Sequence, residues 1–310
     1  MDDYLIKATI ATKRVLAIIG KTTDLVEESR KRHQTLPTAT AALGRTLTLA
    51  GLLSAQLTEK QTLSIQIIGS GPLQEIYVQT DWRGKVRGFV KRPLVHLELN
   101  PSGKLDVEKA VGKGMIYVIK DLGLKEPFRG SAQLISGGIA KDLAYYFAVS
   151  EQKPSAVAAG VYINSKNKVK AAGGFIIQPT LAADLEIVAK LENNIRDLPM
   201  PSSLILDGVT PEGILKLIAG NFDYEIAETM PLQYKCRCTR AKCLDAIAAL
   251  EKKVIDELIA SNRPVEVKCD FCGRNYSITI DTLKRLYTET VKVKRGLRVF
   301  VWVKTAYLMS

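Results

Sequence analysis

The sequence predicts an α+β protein in three parts: an N-terminal sheet-and-helix domain, a helical linker and a small C-terminal module that carries the cysteines. Three observations lead there. Short alternating apolar runs broken by glycine-containing turns fill residues 1–178, a helical periodicity takes over at Pro179, and all five cysteines fall between Cys236 and Cys272 of a 310-residue chain. A hydrophobic content of 46% is enough for a packed core and excludes global disorder. No run approaches the roughly 18 to 20 apolar residues of a membrane span. The start Met1-Asp2-Asp3, with a first apolar run Val15–Ile19 interrupted by Gly20-Lys21, shows no secretory signal. A cytoplasmic protein without a membrane partner is therefore expected.

Within residues 1–178, Leu63, Ile65 and Ile67 alternate before Gly69-Ser70-Gly71-Pro72; Ile76 and Val78 follow, and Lys85–Val90 resumes after Asp81-Trp82-Arg83-Gly84. This pattern predicts a meander of antiparallel strands. Met115–Ile119 and Tyr162–Lys170 read as further strands, the second turning at Ser165-Lys166-Asn167. Pro37–Leu57 reads as a helix rich in Ala, Leu and Thr. Its Gly44 and Gly51, seven apart on one face, predict close approach to the sheet at about 1 kcal/mol each in helix propensity. Phe147–Pro154 is a helix exit, and Ala171-Ala172-Gly173-Gly174 precedes a last strand, Phe175–Gln178.

The linker, 179–232, opens with Leu181, Leu185, Val188, Leu191, Ile195 and Leu198 at steps of three and four, an amphipathic helix stopped by Pro199 and Pro201. Thr210-Pro211-Glu212 starts a second helix, with Thr as N-cap and Pro at the first position, and Gly220-Asn221 ends it.

The formal net charge of +12 points at first to a nucleic-acid partner. Its placement weakens that reading: +10 over residues 1–178, −5 over 179–235, +1 over 236–283 and +6 over 284–310, with no long Lys/Arg run. The alternation predicts electrostatic contact between the acidic linker and the basic first domain, loosened by salt.

Cys236-Arg237-Cys238 and Cys269-Asp270-Phe271-Cys272 are separated by thirty residues, which read as one helix with Thr239 as N-cap and Leu244, Ile247, Leu250, Val254 and Leu258 along its buried stripe. Two paired knuckles closing such a unit can direct four sulfurs at one point. Zinc takes four thiolates at about 2.3 Å, and a saturated four-cysteine site is structural because it leaves no position for substrate. One zinc per chain on Cys236, Cys238, Cys269 and Cys272 is the resulting expectation. A ligand set pairing Cys238 with Cys243 would strand Cys236 on a loop between basic residues, so Cys243 reads as a spare core thiol. A thioredoxin-like role for Cys269 and Cys272 lacks the strand-to-helix setting that lowers a thiol pKa. Zinc keeps the sulfurs as thiolates, the form that oxidants attack, and metal loss would leave each half able to close its own disulfide. The cluster is thus a plausible oxidation switch.

At these residues the chain resembles the redox-regulated heat-shock holdases, the 33-kDa chaperonin family of bacteria. The C-x-C and C-x-x-C pairs, Thr239-Arg240 after the first and Tyr276 after the second, match its zinc centre. Gly44-Arg45, Gly69-Ser70-Gly71-Pro72-Leu73, Gly84-x-x-x-Gly88, Ser150-Glu151-Gln152 and Ala172-Gly173-Gly174 are similar to family segments in family order, over about residues 3–286. The resemblance implies a zinc-binding redox-switch module at 233–286 and a redox- and heat-sensitive linker. It implies a chaperone, not an enzyme, that is inactive when reduced and zinc-bound. Oxidation pairs Cys236 with Cys238 and Cys269 with Cys272, zinc leaves, and the protein dimerises and holds unfolding clients without ATP. Gly69-x-Gly71 and Gly112-x-Gly114 agree, since both lack the rest of a phosphate loop.

Residues 287–310 form a basic tail outside the family pattern. Alternation around Arg295-Gly296 predicts a hairpin with Phe300 and Trp302 on one face. The rival reading is a zinc-ribbon nucleic-acid-binding protein, for which two aromatics are thin support; nucleic acid is not among the expected partners. A hydrolase is the weakest class. His33, on the polar face with Arg30-Lys31-Arg32, and His96, in a strand-like segment, are the only histidines, and neither lies in a motif.

Overall fold

The computed structural model describes residues 2–290, so the hairpin expected around Arg295 lies outside the described residues. These fall into two compact units, the first ending at Lys235 and the second beginning at Cys236.

The first unit is layered. Strands β1 (Tyr4–Ile10) and β2 (Val15–Lys21) lead into helices α1 (Thr23–His33) and α2 (Pro37–Leu53). The expected meander follows as β3 (Thr62–Gly69), β4 (Glu75–Asp81) and β5 (Lys85–Val90), then α3 (Val107–Val111), β6 (Gly114–Asp121), β7 (Phe128–Gln133), α4 (Ala140–Ser150), β8 (Ala156–Ile163) and β9 (Val169–Pro179). Next come three linker helices, α5 (Leu185–Arg196), α6 (Pro201–Leu206) and α7 (Pro211–Ala219), and strands β10 (Tyr224–Pro231) and β11 (Gln233–Tyr234). One sheet has the order β10-β1-β2-β9-β8 and the other β11-β5-β4-β3-β6-β7. Neighbours are antiparallel except β11, which runs parallel to β5.

Helix α2 lies between the sheets and is apolar or small all round; every residue but Pro37 and Arg45 is buried. Leu5, Ile18 and Ile176 from one sheet and Ile65, Val78 and Val118 from the other close the first core around it. The alternate residues of the five-stranded sheet, Ile6, Ile19, Phe175 and Ile177, form a second core with Ile187, Leu191, Leu204, Ile214, Leu215 and Ile218 of the linker helices. Burial on both faces explains why Val15–Ile19 is a continuous apolar run and does not alternate.

Several expectations change. A Cβ on Gly44 would come within 2.6 Å of Val26 and 2.8 Å of Val161, so that glycine does permit close packing. At Gly51 the nearest atoms, on Leu232 and Val86, stand at an ordinary 3.5 Å, and the same argument fails. Gly173 and Gly174 do not precede a strand; they lie inside β9, which begins at Val169. Gly69 and Gly71 are packing residues as well, their N–H groups donating to Gln74 and Val111 carbonyls. His96 sits outside any strand, its Nδ1 3.1 Å from the Thr38 hydroxyl.

The linker region gains a helix and two strands. Pro201 starts α6 as its first residue, and β10 and β11 add to the edges of the two sheets. Caps at Asp184 and Thr210, which accept from the Ile187 and Gly213 N–H groups, set the starts of α5 and α7. The buried stripe of α5 is Ile187 and Leu191, while Leu181 and Leu185 are 109% and 87% exposed. This contact is mainly apolar, with Arg14–Asp184 (2.8 Å, about half exposed) as an ion pair at its edge, so the charge alternation is not what docks the linker.

The second unit contains α8 (Arg240–Ala248), α9 (Lys252–Ala260), the hairpin β12 (Val265–Lys268) and β13 (Asn275–Ile278), and α10 (Ile280–Thr290). The single helix expected between the cysteine pairs is two, broken at 249–251. Its buried core is small: Cys243, Ile247, Val265, Val267, Ile278 and Leu283.

Candidate metal centre

Four of the five cysteines converge. Cys236 and Cys238 lie on the segment just before α8, whose start is fixed by Thr239: its hydroxyl accepts from the Lys242 N–H, as the sequence predicts. Cys269 and Cys272 lie on the turn between β12 and β13. There the Cys269 carbonyl accepts from the N–H groups of Cys272 and Gly273, Gly273 takes φ +69°, and the Cys269 N–H donates back to the Arg274 carbonyl. The Arg240 guanidinium donates to the Ser277 carbonyl at 3.0 Å and ties α8 to β13.

The four Sγ atoms all lie within 4.8 Å of one another. A tetrahedron with metal–sulfur bonds of about 2.3 Å has edges of about 3.8 Å. Cys236 and Cys269 stand 3.7 Å apart and Cys238 and Cys272 3.4 Å, so the donor set fits a zinc-sized ion. Both of these contacts cross between the two knuckles. All four are half-buried, whereas Cys243 packs in the core of its unit at 6% exposure and does not join the group.

Electrostatics point the same way. A sulfur–sulfur hydrogen bond from Cys269 holds Cys236 down at about 4, and the same bond pushes Cys269 far up. Burial, aided by the neighbouring sulfurs, pushes Cys272 up to about 11. Four adjacent thiolates repel one another, so all four ionise together only against a cation. Burial raises Cys243 too, with the charges of Cys238 and Cys236 adding to the effect. The Tyr276 hydroxyl donates to Cys238 Sγ at 3.1 Å, a bond that pushes the tyrosine up to about 12. The sequence shows Tyr276 after the second pair, yet its role as a partner of the first needs the β12–β13 hairpin to be seen. Neither histidine belongs to the group; His33 Nε2 lies 3.0 Å from the Tyr234 hydroxyl.

A family model described as Hsp33 protein matches residues 3–279, somewhat short of the 286 expected. The 33 kDa chaperonin of Desulforamulus reducens is 43% identical over 286 residues, 92% of this chain and 97% of that one. The 33 kDa chaperonin of Lachnoclostridium phytofermentans is 42% identical over 291 residues, 94% and 100% of the two chains. The crystal structure of the 33 kDa chaperonin (heat shock protein 33 homolog) of Thermotoga maritima superposes with a TM-score of 0.87 at 38% identity, covering 94% of this chain and 100% of that one.

Proposed function

The chain belongs to the Hsp33 protein family, and from that premise we propose that it is a redox-regulated, ATP-independent holdase, silent when reduced and zinc-bound. The observation that carries this reading is a four-sulfur cluster set in a unit whose core, among the described residues, is a cluster of six buried side chains, with Ala246 and Ile255 buried besides. So small a core rarely holds a fold unaided. Cys236, Cys238, Cys269 and Cys272 would hold one zinc, which when bound compensates the thiolate charge and contributes on the order of 10 to 16 kcal/mol to folding, as in zinc-finger peptides.

Under peroxide, each thiolate pair gives up two electrons: Cys236 bonds to Cys238, Cys269 to Cys272, zinc is released as the divalent ion, and one peroxide per disulfide, taking two protons from solvent, is reduced to two waters. Pairing within each knuckle leaves the knuckles unlinked and no thiolate to bind a metal, so the module unfolds. Cross-pairing between the knuckles would staple it shut. In this reading 233–286 is the switch, 1–178 the stable body and 179–232 the bistable linker.

The coupling runs along the chain. One residue, Lys235, separates Tyr234 from Cys236; Tyr234 donates to the Gly88 carbonyl, and Leu232 and Tyr234 are buried in the first core. Loosening there frees β10 and then α7, uncovering the second core on both the helices and the sheet for unfolding clients and for a second copy of the chain. The test is suppression of client aggregation by the full chain before and after peroxide with mild heat, with zinc release followed in parallel. Activity that appears only after oxidation and tracks zinc release supports the reading. Equal activity in the reduced, zinc-loaded protein, or an intact oxidant response in Cys269→Ser/Cys272→Ser, sinks it.

A further inference from the structure

The outer face of the six-stranded sheet carries a pattern that the holdase reading leaves unused. The register of β5, β4, β3 and β6 sets Phe89, Tyr77, Gln66 and Tyr117 side by side in one row across four strands. Their chain neighbours Val78, Ile65 and Val118 point into the first core, so the row points away from α2. The next row begins with Arg87 beside Gln79 and ends at Arg129 on β7.

Each part suits a single-stranded polynucleotide. The Tyr77 and Phe89 rings stack with centroids 5.9 Å apart and planes at 28°, and Tyr77, Phe89 and Tyr117 are half-buried, broad but not enclosed. Tyr77 and Tyr117 are two strands apart, about 10 Å, a spacing that stacked bases can span. Gln79 Oε1 accepts from Arg87 Nε at 3.1 Å and Nη2 at 2.6 Å, fixing the orientation of the guanidinium beside the row. The charge of the β4–β5 hairpin is predominantly basic: Arg83, Lys85, Arg87, Lys91 and Arg92 outnumber two carboxylates, Asp81, which is buried and accepts from the Arg83 and Lys85 N–H groups, and Glu75, which accepts from Gln66 Nε2 at 2.7 Å at the end of β4.

We propose that this sheet face binds single-stranded RNA, the aromatic row stacking on bases while Arg87 and Arg129 contact phosphates. The hydroxyl of Ser131, beside Tyr117 in the row, offers a partner for ribose, while the Tyr77 hydroxyl is already used, donating to Ser64 Oγ at 3.1 Å. These aromatics do not stand out in the sequence because they lie on separate strands, and only the register assembles them. The site is separate from the redox reading and stands whether or not the cysteines switch.

The test uses the reduced, zinc-loaded full chain and a fluorescein-labelled oligouridylate of about 12 nucleotides, followed by anisotropy across a salt series. Tyr77→Ala and Tyr117→Ala are each expected to weaken binding about 5- to 150-fold. Tyr77→Phe should bind as the unaltered chain does, and Arg87→Gln should reduce the salt slope by about 0.7. Photo-crosslinking of a 4-thiouridine oligomer to the unaltered protein, with the expected adducts on β4, β5 or β6, covers the case in which an alanine variant fails to fold. No saturable binding, equal affinity for duplex RNA, affinity indifferent to Tyr77 and Tyr117, or crosslinks that map elsewhere would each overturn the proposal.

Discussion

Replacing Ile214 with alanine separates the linker from the rest of the fold. Ile214 is fully buried in the second core, on α7 against the outer face of the five-stranded sheet. The substitution removes three carbons, about 0.8 kcal/mol each in transfer, and leaves a cavity, for a total of about 2 to 5 kcal/mol. At about 3 kcal/mol the ratio of undocked to docked linker rises roughly 150-fold. The comparison is Ile65→Ala, which deletes the same atoms from the first core, where Ile65 is 1% exposed. Ile214→Ala is expected to suppress client aggregation while still reduced and zinc-loaded, and to speed amide exchange across 185–219. Ile65→Ala should lower global stability without that gain. Equal reduced-state activity in both variants refutes the reasoning, as does a silent Ile214→Ala whose 185–219 amides exchange faster.

Other consequences follow from single groups. Asp3 accepts from the Leu25 N–H at 2.7 Å, but its Oδ1 is buried without a partner, and burial pushes the carboxyl up to about 7. The folded state therefore holds a proton that the unfolded chain releases near the ordinary carboxylate range. The contribution of Asp3 to stability should be complete below about pH 4 and fall by a few kcal/mol as pH rises to about 7. Asp3→Asn should flatten that slope in urea midpoints measured between those limits; an unchanged slope removes Asp3 as its source. Tyr276→Phe deletes the hydrogen bond to Cys238 and should weaken zinc binding about 10- to 100-fold in chelator competition; unaltered affinity would make that bond incidental. Mass-spectrometric mapping after peroxide should find Cys236–Cys238 and Cys269–Cys272, and a Cys236–Cys269 bridge would contradict an opening module. Because the linker contact is apolar, raising salt should change the oxidative activation rate less than about twofold, whereas strong acceleration would restore the electrostatic account.

The sequence shows most clearly what local chemistry decides. Thr239 and Thr210 cap helices because their hydroxyls meet N–H groups three residues on, and the meander over 62–90 follows from alternation and glycine turns. The sulfur cluster is legible because paired knuckles have few other uses. What stays hidden depends on which face meets which. The spacing of Leu181 and Leu185 matches that of Leu191, yet Leu181 precedes the Asp184 cap, and Leu185, the first residue of the helix, stands six positions and about 240° from Leu191, off the stripe that Ile187 and Leu191 bury. Strand β10 escapes notice for a related reason. On a sheet edge, Tyr224 and Ile226 are 41% and 39% exposed, so no clean alternation of burial shaped this segment. The helix break at 249–251 is hidden because its apolar spacing continues across the gap.

The positions of the three cores bear on how such a protein switches. The first core surrounds α2 and draws on both sheets, so it does not depend on any metal. The third is six side chains beside four thiols, the place where the removal of one crosslink costs the largest share of local stability. Between them in sequence lies the linker half of the second core, held mainly by packing with Arg14–Asp184 and Tyr4–Glu212 beside it, and its chain continues through β10 and β11 to Cys236. In the proposed reading, a trigger placed in the weakest unit, joined by the single residue Lys235 to a strand that borders the strongest, would let oxidation act on the intermediate one without unfolding the body. Were the cysteines placed on α2 instead, the same oxidation would have to break the whole protein to expose anything.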